Sequence, residues 1–183
     1  MPAPRTGLNQ LHAWVRAHNQ VSEAAMAATF AEYNSDCWRY NVDEEYWLQW
    51  VGTHWAKRQT PEMLDSLRNF LVTFTKALVR AQIISNAEGI KFQSQRALAA
   101  TERLCRSLPS FLARTVLFDS DPFLLGTPGG TVDMRTGKMK PASPDDFITV
   151  MTTVTPAKEG TKLGPRFKQF LSDITGNDAD FIL

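Results

Sequence analysis

The stretch from Thr60 to Gly89, TPEMLDSLRNFLVTFTKALVRAQIISNAEG, constrains the fold more than any other part of the chain. Leu64, Leu67, Leu71, Phe74, Leu78 and Ala81 recur at helical spacing, so one face is apolar over almost its whole length. Thr60 suits an N-cap and Pro61 the first helical position. Glu62 and Asp65 favour the positive end, and Gly89 supplies a stop. The pattern predicts a helix over Pro61 to Glu88, roughly 40 Å long at 1.5 Å per residue. A helix of that length with one apolar face needs other elements to cover it, which makes it the expected scaffold.

The covering elements are legible on both sides. SEAAMAATFAEY has Ser22 as N-cap and Met26, Phe30 and Tyr33 on one face. A further helix is expected over Ser94 to Ser107 with Leu98, Leu104 and Cys105 inward, and SFLARTVLF supplies a shorter one before Pro122. GLNQLHAWVRAH suits a short helix near the start, and RFKQFLSDITG a last helix ending at Gly176. After SEAAMAATFAEY, CWRYN and YWLQWVG flank the polar VDEE, a β-hairpin pattern because aromatics fit a half-buried pleated surface, and the segment from Cys37 to Trp55 holds four of the five tryptophans. DFITVMTTV reads as a β-branched strand and KEGTKLGP as a linker.

The segment LLGTPGGTVDMRTGKMKPASPDDFIT, Leu124 to Thr149, could be taken for a phosphate-cradling glycine loop. Such a loop needs Gly-x-x-x-x-Gly-Lys-Ser/Thr running into a helix, so that the lysine and the first helical amides hold the phosphates. Here the lysine is missing, and Gly129 and Gly130 are followed by the strand-like TVDM. The segment predicts a hairpin instead, with Gly137 at a turn position requiring positive φ. The fold class expected from these elements is α+β, a mainly helical body with two small β-hairpins.

Composition bounds the function less than its distribution does. The net charge is +1, which by itself indicates no polyanionic partner. Residues 1 to 50 hold three basic and six acidic groups, whereas Lys57 to Arg114 holds ten basic and four acidic. Cys37 and Cys105 show neither metal-knuckle nor disulfide-framework spacing, which fits a reducing, cytoplasmic setting. There is no export-leader pattern, and no apolar run approaches the ~18 residues of a membrane span.

Three blocks carry a family resemblance. LFDSDPFLLGTPGGTVDMRTGKMKPASPDDFIT resembles the Leu-Asp-x-Asp-Pro…Gly-Val-x-Asp-Leu-Arg-Thr-Gly-x-Leu-x-Pro…Asp-x-x-Thr block of phage and plasmid primase-helicases, in the domain just before their superfamily 3 helicase of the poxvirus-type nucleoside triphosphatase group. WLQWVGTHW is similar to a Trp-x-x-Trp-x-Gly-x-x-Trp element of that domain, carried by Trp47, Trp50, Gly52 and Trp55. GPRFKQFLSDITGNDADFIL is similar to the Cys-Pro-x-Phe/Trp…Phe-Leu…Gly-Asp stretch where the helicase begins, with Gly164 replacing the cysteine. The resemblance spans about Ser22 to Leu183. It implies an arm over residues 1–21, an accessory domain over 22–156, and a linker with the first helicase helix over 157–183.

By the same resemblance the role is that of an accessory domain in a phage or prophage replication protein. It would position DNA, single-stranded or forked, or neighbouring subunits beside an ATP-driven helicase ring. No cofactor is expected for this chain, which lacks a Walker lysine; ATP and magnesium would belong to the parent motor, a hexamer in its full-length form, with the helicase domain as a partner in the same chain.

Candidate DNA contacts are Arg96, Arg103 and Arg106, on one side of the expected Ser94–Ser107 helix, and Arg135, Lys138 and Lys140 at the hairpin tip. For each set the reading that the sequence favours is a solvated surface. Trp47, Trp50 and Trp55 could stack on bases or pack a small core. Two alternatives stay open. One is a stand-alone module that binds a helicase ring. The other is a metal-dependent nucleotidyl transferase using Asp119 and Asp121, whose Asp-x-Asp spacing suits two metal ions but lacks an evident third carboxylate and nearby histidine. The resemblance instead makes these aspartates part of a structural turn.

Overall fold

The computed structural model describes residues 12–15, 17, 20–158, 160–162 and 164–176. Its elements run in the order α1 (Glu23–Asn34), β1 (Trp38–Asn41), β2 (Tyr46–Trp50), β3 (Trp55–Arg58), α2 (Thr60–Arg80), α3 (Asn86–Phe92), α4 (Gln95–Cys105), β4 (Leu112–Ala113), β5 (Leu124–Thr127), β6 (Gly130–Asp133), β7 (Lys138–Lys140) and α5 (Pro165–Thr175). One sheet has the order β3-β2-β1-β4, with β4 parallel to β1 and the other pairs antiparallel; the second is the antiparallel meander β5-β6-β7. The chain is α+β, as the elements in the sequence require.

The core forms where the apolar face of α2 meets the first sheet. Met63, Leu67, Leu71, Phe74 and Leu78 of α2 pack with Met26 and Phe30 of α1, Leu98 and Cys105 of α4, and Trp38, Tyr40, Trp47 and Phe111. In the register Tyr40 lies opposite Trp47, so these rings share the helix-covered face. Leu48, Trp50 and Trp55 fall on the other face by alternation. There Trp55 is buried, its indole N–H donates to Pro144 O at 2.8 Å, and its backbone N–H donates to Ile148 O at 2.8 Å. The aromatic sheet is therefore closed by helices on one side and by the segment after the meander on the other.

Several expectations are corrected by this packing. The scaffold helix ends at Arg80 after 21 residues, about 31 Å rather than 40 Å. Gln59, not Thr60, is its N-cap. Gly89 does not stop it. Gly89 lies inside α3, where a Cβ would sit 3.1 Å from Val79 Cγ2, so its missing side chain lets α3 close on α2. SFLARTVLF is not a helix, because Leu112–Ala113 adds to the open edge of β1 and only Thr115–Leu117 makes a 3-10 turn.

DFITVMTTV is not a strand beyond a single parallel bridge, Gly126 to Met151. Its backbone bonds go instead to Trp55, Asp119 and Gly126. Leu104, expected inward, is 38% exposed. Each predicted hairpin gains further strands. β3, formed through a turn with Gly52 at φ +91°, extends the first, and β5 extends the second. Residues 12–15 are helical, while parts of the expected first helix and everything after Gly176 lie outside the described residues.

The glycine segment is the predicted hairpin. Gly137 has φ +68° at its turn, and a Cβ on Gly130 would stand 2.3 Å from Lys140 O, inside the pairing of β6 with β7. α5 is the predicted last helix, with Gly176 at φ +62° as its left-handed cap.

Candidate nucleic-acid interface

The predicted cations divide into two classes once their partners are known. Arg106 closes α4 against the core. Its Nε donates to Glu102 Oε1 at 2.8 Å, and its guanidinium lies 5.3 Å from the Tyr40 ring centre. Glu102 is 3% exposed and also accepts the Trp47 indole N–H at 2.8 Å. The bond to Glu102 raises the Arg106 pKa, outweighing its partial desolvation. Arg106 is thus the counter-charge of a buried carboxylate.

At the meander tip Arg135 grips Asp121 through two bonds of 2.8 and 3.1 Å and covers the Phe123 ring at 4.4 Å. Lys140 Nζ meets Asp146 Oδ1 at 2.6 Å. Lys138 is exposed with no ion pair to the described residues. The tip therefore presents one unmatched charge rather than three.

Arg96 and Arg103 differ, because they point away from the core by the geometry of α4. Ser94 caps that helix by accepting the Ala97 N–H at 3.2 Å, and Ala97, Leu98, Thr101, Glu102 and Cys105 face inward. Arg96 and Arg103, seven residues apart, occupy the outer face two turns from each other. Lys91, in the last turn of α3, joins them across an open groove of about 780 Å³ that is also lined by Ala97, Ala100 and Glu23.

Lys91 is placed there by two devices. Gly89 seats α3 on α2, and the Gln93 amide donates to Thr75 Oγ1 of α2 at 2.8 Å, pinning the turn between α3 and α4. Among the described residues no ion pair neutralises Lys91, Arg96 or Arg103. Their spacing along one face suits a chain of phosphates, which attract cations without regard to base sequence.

Sequence reasoning missed Lys91, because reading Gly89 as a helix stop put Lys91 in a connecting turn. It also missed the Trp47–Glu102–Arg106 network, whose legible half was the i, i+4 spacing of Glu102 and Arg106.

The aspartate pair serves as two backbone clamps. Asp119, at φ +50°, accepts the Thr149 N–H at 2.8 Å, the Val150 N–H at 3.4 Å and the Thr149 hydroxyl. Asp121 holds Arg135 and accepts the Phe123 N–H at 3.0 Å. Trp47 and Trp55, at 0% and 1% exposure, are core residues rather than stacking platforms, and Trp50 lies half-buried with its ring 5.7 Å from that of Trp55.

A family model described as D5 N-terminal like matches residues 27–176, most of the chain and all five named helices except the first turn of α1. A comparison with curated proteins finds no match.

Proposed function

The chain belongs to the D5 N-terminal-like family, a domain found in phage and viral primase-helicase proteins, and from that premise we propose that it holds DNA by its phosphates beside a superfamily 3 helicase ring. The observation that carries this reading is the groove along α4, where Lys91, Arg96 and Arg103 make no ion pair among the described residues. The favoured substrate is single-stranded or forked DNA, contacted through its backbone. The helicase domain, its ATP and its magnesium belong to the parent protein. With Trp47 and Trp55 buried, the affinity is expected to come from phosphate attraction more than from base stacking.

Fluorescence anisotropy with a labelled oligothymidylate, measured across a salt series, tests the proposal. Each alanine substitution at Lys91, Arg96 or Arg103 is expected to flatten the plot of log affinity against log salt by about 0.7 per lost phosphate contact. Arg135→Ala and Lys140→Ala are expected to leave the slope unchanged. Absence of binding at low salt, or equal losses from all five variants, would overturn it.

A further inference from the structure

The groove along α4 holds one acid among its cations. Glu23, in the first turn of α1, lines the same surface as Lys91, Arg96 and Arg103. It is half-buried and makes no ion pair among the described residues, so none of the three cations neutralises it. A carboxylate at that place repels phosphate and weakens the attraction that the cations supply. What it can attract is a hydrogen-bond donor.

Helical geometry orders the surface between the arginines and this acid. At about 100° per residue, Arg96 and Arg103 lie within about 20° of each other around α4, with Ala100 about 40° and Leu104 about 80° further round from Arg96. Ala97, at about 100°, is buried, and α1 packs beside α4. Passing round α4 from the arginine row towards α1, one meets an apolar strip and then Glu23. The other polar side chain of the groove is engaged, since Ser94 Oγ accepts the Ala97 N–H at 3.2 Å. Among the described residues that line it, Glu23 is thus the side-chain acceptor without a partner.

We propose that Glu23 gives the groove a base preference, accepting a hydrogen bond from the exocyclic amino group of a DNA base while Arg96 and Arg103 hold the neighbouring phosphates. The inference rests on the phosphate reading of the groove and adds to it the edge of the base. A strand with its phosphates on the arginine row carries its bases over Ala100 and Leu104 and turns their edges towards α1. An ionised carboxylate accepts hydrogen bonds and donates none. Cytosine offers it the N4 amino group, and adenine the N6 amino group. Thymine has the O4 carbonyl at the equivalent place and is repelled. Glu23 is therefore the specificity-determining residue of a site whose affinity comes from its cations.

Fluorescence anisotropy of the full chain with labelled oligodeoxycytidylate and oligothymidylate of equal length, at neutral pH and one low salt concentration, tests this. The wild type is expected to bind the cytidylate about fivefold more tightly, the effect of one charged hydrogen bond partly open to water. Glu23→Gln keeps the shape of the side chain but both donates and accepts, so its two affinities are expected to agree within about twofold. The same variant is expected to hold oligothymidylate more tightly than the wild type does. Arg103→Ala is expected to weaken both ligands and to keep their ratio. Both substitutions lie outside the core, and unchanged far-UV circular dichroism is expected to show the variants folded. Equal affinities in the wild type, or a preference that survives Glu23→Gln, would overturn the base preference. If Arg103→Ala still weakens both ligands in that case, the phosphate reading stands without it. If Arg103→Ala weakens neither, the groove reading fails and the base preference with it.

Discussion

The helix-backed aromatic sheet and the β-meander are built on opposite principles. In the first, Trp38, Trp47, Phe30, Phe74 and Phe111 are at most 1% exposed, and the buried carboxylate of Glu102 has two donors. In the second, Val132 is the only buried apolar strand residue, and the connections are polar clamps: Asp119 to Thr149, Arg135 to Asp121, and Lys140 to Asp146. The first region is complete within one chain. The second keeps its shape through hydrogen bonds and leaves Phe123, Leu125, Met134 and Met139 exposed.

The sharpest way to break this comparison is to strike the first region. Trp47→Ala removes a fully buried ring and one donor to Glu102, and is expected to cost about 4 kcal/mol or more in chemical denaturation. A loss under about 1 kcal/mol would show that the aromatic sheet is not the stabilising core.

Two arginines on one helix give the next test. Arg106→Ala leaves Glu102 buried with a single donor and is expected to cost about 2 kcal/mol, reduced from the fully buried case because Arg106 is partly open to water. Arg96→Ala, which abandons no ion pair among the described residues, is expected to stay within about 0.5 kcal/mol. Equal losses would erase the distinction between structural and free cations.

The meander should respond locally. Asp119→Ala is expected to cost about 1–2 kcal/mol. Hydrogen exchange should quicken at the amides of Thr149 and Val150 while those of β1 and β2 keep their protection. Protection lost in both regions together would mean that they unfold as one unit.

The smallest effect is a titration. Arg135 and the Phe123 N–H hold the Asp121 carboxyl below the usual aspartate range. A depressed folded pKa means that the contribution is present above the unfolded value of about 3.9 and is lost as pH falls through the lower folded value. Carboxyl carbon shifts should place the Asp121 midpoint below that of an ordinary aspartate and return it upward in Arg135→Ala. Unmoved midpoints would show that the clamp does not form in solution.

How much of this was legible in the sequence depended on whether the information was local. The helices at Glu23–Asn34, Gln95–Cys105 and Pro165–Thr175 carry their own caps in Ser22, Ser94 and Gly176 and were readable. So was the hairpin around Gly137, whose positive φ is a property of the turn itself. Leu112–Ala113 was not, because its strand exists only through pairing with β1 more than seventy residues earlier. The β-branched run at Phe147–Val154 misled for the converse reason, since its backbone partners were taken by Trp55, Asp119 and Gly126. At the candidate site, the charges were visible but their partners were not. Only folding separates Arg96 and Arg103, which make no ion pair among the described residues, from Arg106 and Arg135, which are held by Glu102 and Asp121.

The division of labour between the two regions is open to one direct measurement. Backbone amide spectra of the chain, titrated with a short oligothymidylate at low salt, are expected to shift along residues 86–104 and to leave 123–139 in place. Shifts concentrated on the meander, or none anywhere, would contradict a phosphate site on α3 and α4.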